Sequence, residues 1–135
     1  MPLPDTEDRI DEEILGEERI DEEILDELFD VMGDGGADGL VKACEMFLAG
    51  VPARFADIDA ALAEGRLDDA AQGAHSLRGS AGAFGARRLS AMTVTLERLC
   101  RDGDRAGATP VLDEMQDEFR IFRALLVARL GQLPR

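Results

Sequence analysis

The chain has 135 residues, with 29 acidic and 15 basic side chains and a net charge of −14. This length suits one compact domain with a hydrophobic core. The acidity disfavours nucleic acid as a partner, because phosphate would be repelled. The apolar runs fall short of the roughly 18 residues that a membrane helix needs, and the N-terminus lacks the layout of a signal peptide. We therefore expect a cytoplasmic protein without membrane contact.

The negative charge is concentrated at the N-terminus. Residues 1–30 hold 14 acids and 2 arginines, so they carry −12, whereas residues 31–135 carry −2. The acidity thus belongs to a terminal segment rather than to the domain. Lys42 is the only lysine, which together with abundant alanine and glycine favours a GC-rich, bacterial coding sequence.

The chain offers few groups for metal or redox chemistry. Its one histidine, His75, cannot build a His-rich metal site. Cys44 and Cys100 are far apart and form no C-x-x-C pattern, so we expect both to be buried, reduced thiols on helix faces. We predict no metal site and no cofactor of the chain's own.

One heptapeptide, Arg-Ile-Asp-Glu-Glu-Ile-Leu, occurs twice, at 9–15 and at 19–25. A period of ten residues is not a whole number of helical turns, so the two copies would not align on one straight helix. A recent local duplication explains the repeat. The alternative is that the first copy has a docking role.

Each copy of the heptapeptide can begin a helix of its own. Asp11 and Asp21 can cap these helices, with the preceding isoleucines as hydrophobic staples. Only the second copy continues into further apolar residues. We therefore predict an acidic extension over 1–18, flexible or loosely helical, and a domain over 19–133 whose first helix covers 20–32.

The second predicted helix is long. Asp38 can cap it, and apolar residues recur at spacings of three and four from residue 40 to residue 62. This pattern runs through Pro52, which favours one long helix with a kink there. Two shorter helices that meet at Gly50 are the alternative. Gly65 is predicted to end the segment.

Two amphipathic helices follow. Asp68 can cap the third helix and Gly85 can end it. Its predicted apolar stripe consists of Leu67, Ala70, Ala74, Leu77, Ala81 and Phe84. The fourth helix is predicted over about 86–101, with Gly103 after it. Its predicted buried residues are Leu89, Met92, Leu96 and Leu99.

The last helix is predicted to begin either at Asp104 or at the Thr109-Pro110 pair. Its apolar stripe consists of Leu112, Met115, Phe119, Phe122, Leu126 and Leu130. No segment alternates with the period of two that is typical of strands. Short loops between long amphipathic helices predict an all-α protein, namely an antiparallel four-helix bundle with an additional short N-terminal helix and the acidic extension. We expect a monomer.

His75 is predicted to lie on the solvent side of the third helix. On a helical wheel it lies roughly 130° from the centre of the apolar stripe. Arg78, Gly79 and Gly82 lie on or beside the same face. This face therefore presents an imidazole, which is nucleophilic near neutral pH, next to one cation and little side-chain bulk.

Glycine inside a helix lowers its stability by about 1 kcal/mol relative to alanine. The presence of Gly73, Gly79 and Gly82 in the third helix therefore has to be explained. One reason is close approach of another protein to His75, because in-line transfer demands short distances. The other is close helix–helix packing. Gly79 points furthest from the apolar stripe, so packing explains it least.

The segment around His75 resembles the phosphorylation motif of histidine phosphotransfer (HPt) domains. That motif reads His-x-Leu-Lys-Gly-Ser-x-x-x-x-Gly-Ala, and the chain matches it at His75, Leu77, Arg78, Gly79, Ser80, Gly85 and Ala86. Arg78 stands where the family usually has lysine, which keeps the positive charge. The order of elements over residues 20–130 is also similar to that family.

The resemblance implies a four-helix bundle that carries phosphohistidine on its surface and has no kinase activity or ATP site. His75 would be the phosphoacceptor, Arg78 would stabilise the phosphoryl charge, and Gly79 would leave clearance for the partner. The implied partners are receiver domains of response regulators and a hybrid sensor kinase, and Mg²⁺ would come with the receiver.

Four further residues are candidates for partner contact. Gln72 and Gly82 lie near His75 on the helix, and Arg87 and Arg88 can attract an acidic receiver. The alternative for the two arginines is that they are solvated residues at a helix start.

Two other functions remain open. The segment also resembles the phosphoacceptor domain of chemotaxis-type kinases, which a kinase domain phosphorylates directly. Those proteins continue into dimerisation and ATP-binding domains, whereas this chain ends at residue 135, so we expect a free-standing protein. From a different class, the chain could be a helical interaction module that acts through the acidic N-terminal repeat.

Overall fold

A computed structural model describes residues 19–32 and 37–132. It contains five helices, which we number α1 (Glu22–Met32), α2 (Ala37–Ala63), α3 (Leu67–Ala83), α4 (Arg87–Arg101) and α5 (Arg105–Gly131). The described residues form no strand, and none of their helices is both long and apolar enough to cross a membrane. The predicted extension over 1–18, with its cap at Asp11, lies outside these ranges.

The all-α fold is confirmed. Helices α2 to α5 pack in a ring, each against the next and α5 against α2, while the short α1 packs on α2. The predicted stripe of α5 is buried in full. Phenylalanines join the helices in the core, where the rings of Phe47 and Phe84 stack at 4.7 Å and those of Phe55 and Phe119 meet edge to face at 5.9 Å.

The buried face of α4 differs from the prediction. Leu89 and Leu96 are buried as expected, but Met92 and Leu99 are only half-buried. Thr93 and Cys100 take the central positions instead. Thr93 tolerates burial because its hydroxyl donates to the carbonyl of Ser90 one turn earlier, so no polar atom of its side chain is left unpaired.

The three tight turns of the bundle are built in the same way. Each has three residues outside the helices, and its central glycine has a positive φ of 74° to 79° that other residues rarely adopt. In each turn the amide after the glycine donates to the carbonyl five residues earlier, at 2.8 to 2.9 Å, which is the Schellman motif. Turns this short force consecutive helices to run antiparallel. The three glycines are Gly65, Gly85 and Gly103.

Two predicted caps are wrong. Asp38 lies in the first turn of α2 rather than before it. Helix α3 begins at Leu67, and Arg66, the last residue of the turn, takes the N-cap position that was predicted for Asp68. Asp68 therefore lies inside the first turn, where a carboxylate still interacts favourably with the helix dipole.

Both long helices run through a proline. Helix α2 is continuous through Pro52, so the alternative of two helices that meet at Gly50 is wrong. Helix α5 begins after Asp104, whose Oδ1 accepts a hydrogen bond from the amide of Gly107 at 2.8 Å, and continues through Pro110. Of the two predicted starts, Asp104 is therefore the one observed.

The residues before α1 dock on the α3–α4 turn. Ile20 pairs with Ala86, and the amide of Asp21 donates to the carbonyl of Gly85 at 2.8 Å. The Asp21 carboxylate accepts from the amide of Ile24 at 3.2 Å, which confirms this predicted cap. Ile20 and Leu25 are both part of the core.

A buried carboxylate lies beside this docked segment. Glu118 of α5 is 5% exposed, and its Oε1 lies 3.2 Å from Nε of Arg19 and 3.7 Å from Nε of Arg88. Burial raises the pKa of Glu118, while the two arginines oppose that rise. Its Oε2 is buried without a hydrogen-bond partner among the described residues, so the two arginines are needed to offset the cost of burying this charge.

Replacing Gly85 by alanine should destabilise the protein more than the matched Gly103→Ala change. Both glycines have φ of +79°, so alanine in either turn adopts a left-handed conformation that costs about 1–2 kcal/mol. A Cβ at Gly103 meets nothing within 4 Å, whereas one at Gly85 would lie 3.2 Å from the carbonyl oxygen of Asp21.

We expect urea unfolding to show a free energy of unfolding lower by about 1 kcal/mol for Gly103→Ala and by about 1 kcal/mol more for Gly85→Ala. Equal losses for the two variants would contradict the description of the docked segment.

Candidate functional site around His75

His75 lies in α3 with its side chain 57% exposed, as the helical wheel predicted. Its Nδ1 is 3.1 Å from Oε1 of Glu97, a residue of α4. Glu97 is only 19% exposed, and its second oxygen, Oε2, accepts from Nε of Arg101 at 3.0 Å. The imidazole is therefore held at one nitrogen by a carboxylate that is itself held in place.

This contact selects one form of the ring. A carboxylate can only accept a hydrogen bond, so Nδ1 carries the proton and the lone pair of the neutral ring lies on Nε2. Partial burial of Glu97 opposes its ionisation, but the hydrogen bonds from His75 and Arg101 outweigh burial and lower its pKa. Glu97 is thus an anion near neutral pH.

The three glycines of α3 differ in what surrounds them. A Cβ on Gly73 would lie 2.8 Å from Cγ1 of Ile58, so close packing of α3 on α2 accounts for this glycine. Gly82 is half-buried, and a Cβ there would lie 3.5 Å from the hydroxyl of Ser90 on α4. Gly79 is exposed, and a Cβ there would meet nothing within 4 Å. Packing within the bundle therefore does not require glycine at position 79.

Arg78 and Gln72 lie close to His75 along α3, three residues after it and three residues before it. Both are exposed. The backbone carbonyl of Arg78 accepts from the hydroxyl of Ser90 at 3.3 Å, which links this part of α3 to α4. Arg78 is thus an exposed cation on the helix that carries the imidazole.

The two arginines at the start of α4 have different environments. Arg87 is exposed. Arg88 is 28% exposed and lies within ion-pair distance of the buried Glu118. Arg88 therefore has a structural task inside the bundle, which limits its availability to a docking partner.

The sequence reasoning did not identify Glu97 as part of the site. Glu97 is 22 residues from His75, and no local spacing connects them. Glu97 is the only acid in α4. This signal points to His75 only once α4 is known to pack on α3.

An apolar groove was also missed. It lies between α2 and the C-terminal half of α3, has a volume of about 390 Å³, and exposes 67% of Met46 at its edge. Two of its lining residues, Ser80 in α3 and Phe84 directly after α3, follow His75 by five and nine positions. The groove therefore flanks the helix that carries the imidazole. Its lining consists of Ala43, Met46, Phe47, Gly50, Val51, Arg54, Ser80 and Phe84.

A protein-family model described as the Hpt domain matches residues 42–126, which is more than half of the chain. The chain belongs to the HPt domain family. It is therefore a histidine phosphotransfer protein of a phosphorelay, and such proteins carry phosphoryl groups rather than act as kinases. A comparison with curated proteins finds no match.

Two solved structures are similar to this HPt chain. One is histidine-containing phosphotransfer protein B (HptB) from Pseudomonas aeruginosa PAO1, with 26% sequence identity and a TM-score of 0.77 over 87% of this chain and 99% of that one. The other is a rice protein assigned as a histidine-containing phosphotransfer protein, with 19% identity and a TM-score of 0.73 over 96% of each chain, and it shows the same fold.

Replacing Glu97 by alanine should change the tautomer of neutral His75. In the parent, we expect the ¹⁵N chemical shifts of the imidazole to report a protonated Nδ1 and an unprotonated Nε2. In Glu97→Ala the acceptor is gone, so protonation at Nε2 should gain population. The matched variant Arg101→Ala keeps the carboxylate on His75 and should retain the parental shifts. Unchanged shifts in Glu97→Ala would show that this contact does not orient the ring.

Proposed function

We propose that His75 accepts a phosphoryl group from the aspartyl phosphate of a receiver domain, in a hybrid sensor kinase or a response regulator, and passes it to the receiver of another response regulator. The observation that carries this proposal is the exposed imidazole whose Nδ1 is held by Glu97. That contact leaves Nε2 as the nucleophile. The open space at Gly79 lets another protein approach it.

In the proposed step, the lone pair of Nε2 attacks the phosphorus of the aspartyl phosphate. A nitrogen–phosphorus bond forms, the bond from phosphorus to the carboxyl oxygen breaks, and the aspartate leaves as a carboxylate. For the neutral ring no proton has to move, because its Nε2 is unprotonated and its Nδ1 keeps the proton. The product ring is an imidazolium that carries the phosphoryl group. The return step to a second receiver is the same reaction in reverse.

In the proposal, two residues stabilise the charges that develop on the ring and on the phosphoryl group. Glu97 accepts from Nδ1–H and stabilises the positive charge that the ring acquires when Nε2 is phosphorylated. Arg78, three residues after His75, would stabilise the negative charge of the phosphoryl oxygens. Because the transition state for phosphoryl transfer is loose, positioning and electrostatic stabilisation supply most of the catalysis.

The proposed docking surface consists of the open helix face at Gly79 and the apolar groove beside it. Gly79 leaves room above the imidazole, and the groove with exposed Met46 offers apolar area for the partner to bury. Gln72, Gly82 and Arg87 would form the remaining contacts. Mg²⁺ would belong to the aspartate pocket of the receiver. All the site residues come from one chain, so we propose that a monomer suffices, acting in the cytoplasm where its receivers are.

Replacing His75 by glutamine should abolish labelling. We expect the parent to take up acid-labile phosphate from a ³²P-phosphorylated receiver domain, and His75→Gln to take up none. The matched variant Ser76→Ala removes the neighbouring exposed hydroxyl and should be labelled like the parent. A chain without residues 1–18 should also be labelled normally. Labelling of His75→Gln, or labelling only by a kinase domain with ATP, would contradict the proposal.

Replacing Gly79 by leucine should make the protein more stable and less active at once. Gly79 is exposed and a Cβ there meets nothing within 4 Å, so we expect the bundle to accept a leucine. Replacing glycine in a helix interior gains about 0.5–1 kcal/mol. The added side chain should keep the receiver from reaching transfer distance, so the transfer rate should fall roughly a hundredfold.

The matched control is Gly131→Leu at the end of α5, where a Cβ also meets nothing within 4 Å. This variant should transfer at the parental rate. Urea unfolding and the rate of phosphoryl transfer from a phosphorylated receiver measure the two effects. A Gly79→Leu variant that transfers normally would show that the space at this position is not used.

A further inference from the structure

The docked heptapeptide at 19–25 is held by contacts along its length. Arg19 binds Glu118, Ile20 pairs with Ala86, and the amide of Asp21 donates to the carbonyl of Gly85. These contacts lie on the α3–α4 turn and on α5. We call the surface formed by Gly85, Ala86, Glu118 and Arg129 the heptapeptide site.

The rest of the heptapeptide is used as well. Glu22 forms an ion pair with Arg129, which is the fourth residue of the heptapeptide site. Leu25 is fully buried in the core. The arginine, the isoleucine before the aspartate, the aspartate, the first glutamate and the leucine therefore each have a defined contact.

The same seven residues occur once more, at 9–15. The two residues before each copy are also similar, since Glu-Asp precedes the first copy and Glu-Glu precedes the second. Both pairs are acidic. Identical residues can form identical contacts. We propose that residues 9–15 are a second ligand for the heptapeptide site and replace residues 19–25 there in a minor population of the same molecule.

The residues after each copy explain why the second copy is preferred. Leu28 packs against the core, and the residue ten positions earlier is Glu18, which cannot replace it. Asp26 lies in α1, and its equivalent is Gly16, which disfavours helix. The first copy therefore forms the contacts of the heptapeptide site but loses those of the helix that follows.

The chain length permits the exchange. With the first copy docked, residues 16–36 would join the heptapeptide site to α2 in place of residues 26–36. Closing a longer loop costs little, because the entropy cost grows only with the logarithm of the length. The exchange keeps an arginine on Glu118, since Arg9 would replace Arg19, so the buried carboxylate is not left with Arg88 alone.

A chemical cross-link tests the proposal directly. Cysteines replace Glu12 and Arg129, and a short bis-maleimide joins them when the first copy is docked. Glu22→Cys with Arg129→Cys is the positive control, since these side chains are in contact. The native thiols of Cys44 and Cys100 are buried, and burial raises the pKa of Cys44 to about 11, so both should react slowly.

The matched control is Glu13→Cys with Arg129→Cys. It has almost the same length of tether, but in the docked copy Arg129 forms its ion pair with Glu22 rather than with the neighbouring Glu23. Docking predicts that the Glu12 pair is cross-linked within one molecule at least about tenfold faster than the Glu13 pair. Equal rates would overturn the proposal, because tethering alone explains them. A product that forms mainly between two molecules would overturn it as well.

A second measurement displaces the docked copy. Ile20→Asp puts a charge at a buried position and should shift the population towards the first copy, so the Glu12 cross-link should form about tenfold faster again. An unchanged or slower rate would overturn the proposal. Ile10→Asp should lower the rate of the Glu12 cross-link to that of the Glu13 pair and leave the Glu22 control unchanged. These readouts do not involve phosphoryl transfer, so they are independent of the function proposed for His75.

Discussion

The packing of α3 on α4 is the interaction on which the rest of the structure depends. These two helices form the most extensive contact between elements of the described chain. Small side chains of α3, among them Ala74 and Ala81, are fully buried and let the helix axes come close. This distance brings Glu97 to His75 and the Ser90 hydroxyl to the carbonyl of Arg78. A looser pair of helices would leave the imidazole without its partner.

The site holds the imidazole of His75 on one side and leaves space for a partner at Gly79. One side of the imidazole is fixed by the chain Arg101–Glu97–His75, which determines where the reactive nitrogen points. The helix face at Gly79 is open, because a Cβ there would meet nothing within 4 Å. Glycine lowers the stability of a helix relative to alanine, and packing within the bundle does not require it at position 79. The bundle therefore loses some stability at the face that a partner must approach. Membership of the HPt family is consistent with this division.

The residues before α1 lie outside the helices but form part of the packed structure. Arg19 and Ile20 precede α1, yet they contact the α3–α4 turn and the buried Glu118. The segment thereby covers the turn that follows the His75 helix and neutralises a carboxylate that is costly to bury. Its sequence is strongly acidic, and the one base in the docked heptapeptide makes the contact with Glu118. Two charges of the segment are thus paired with opposite charges of the bundle, Arg19 with Glu118 and Glu22 with Arg129.

The sequence by itself determined the helices, the apolar stripe of α5, the turn glycines and the exposure of His75, because each depends on a local pattern of three to seven residues. Tertiary structure alone decided that Glu97 orients the imidazole, that Gly73 is a packing residue, and that Thr93 rather than Met92 faces the core. The reason is physical. Periodicity specifies the face of a helix that is buried, but the neighbouring helix decides the rotation of that face and the side chains that meet across it.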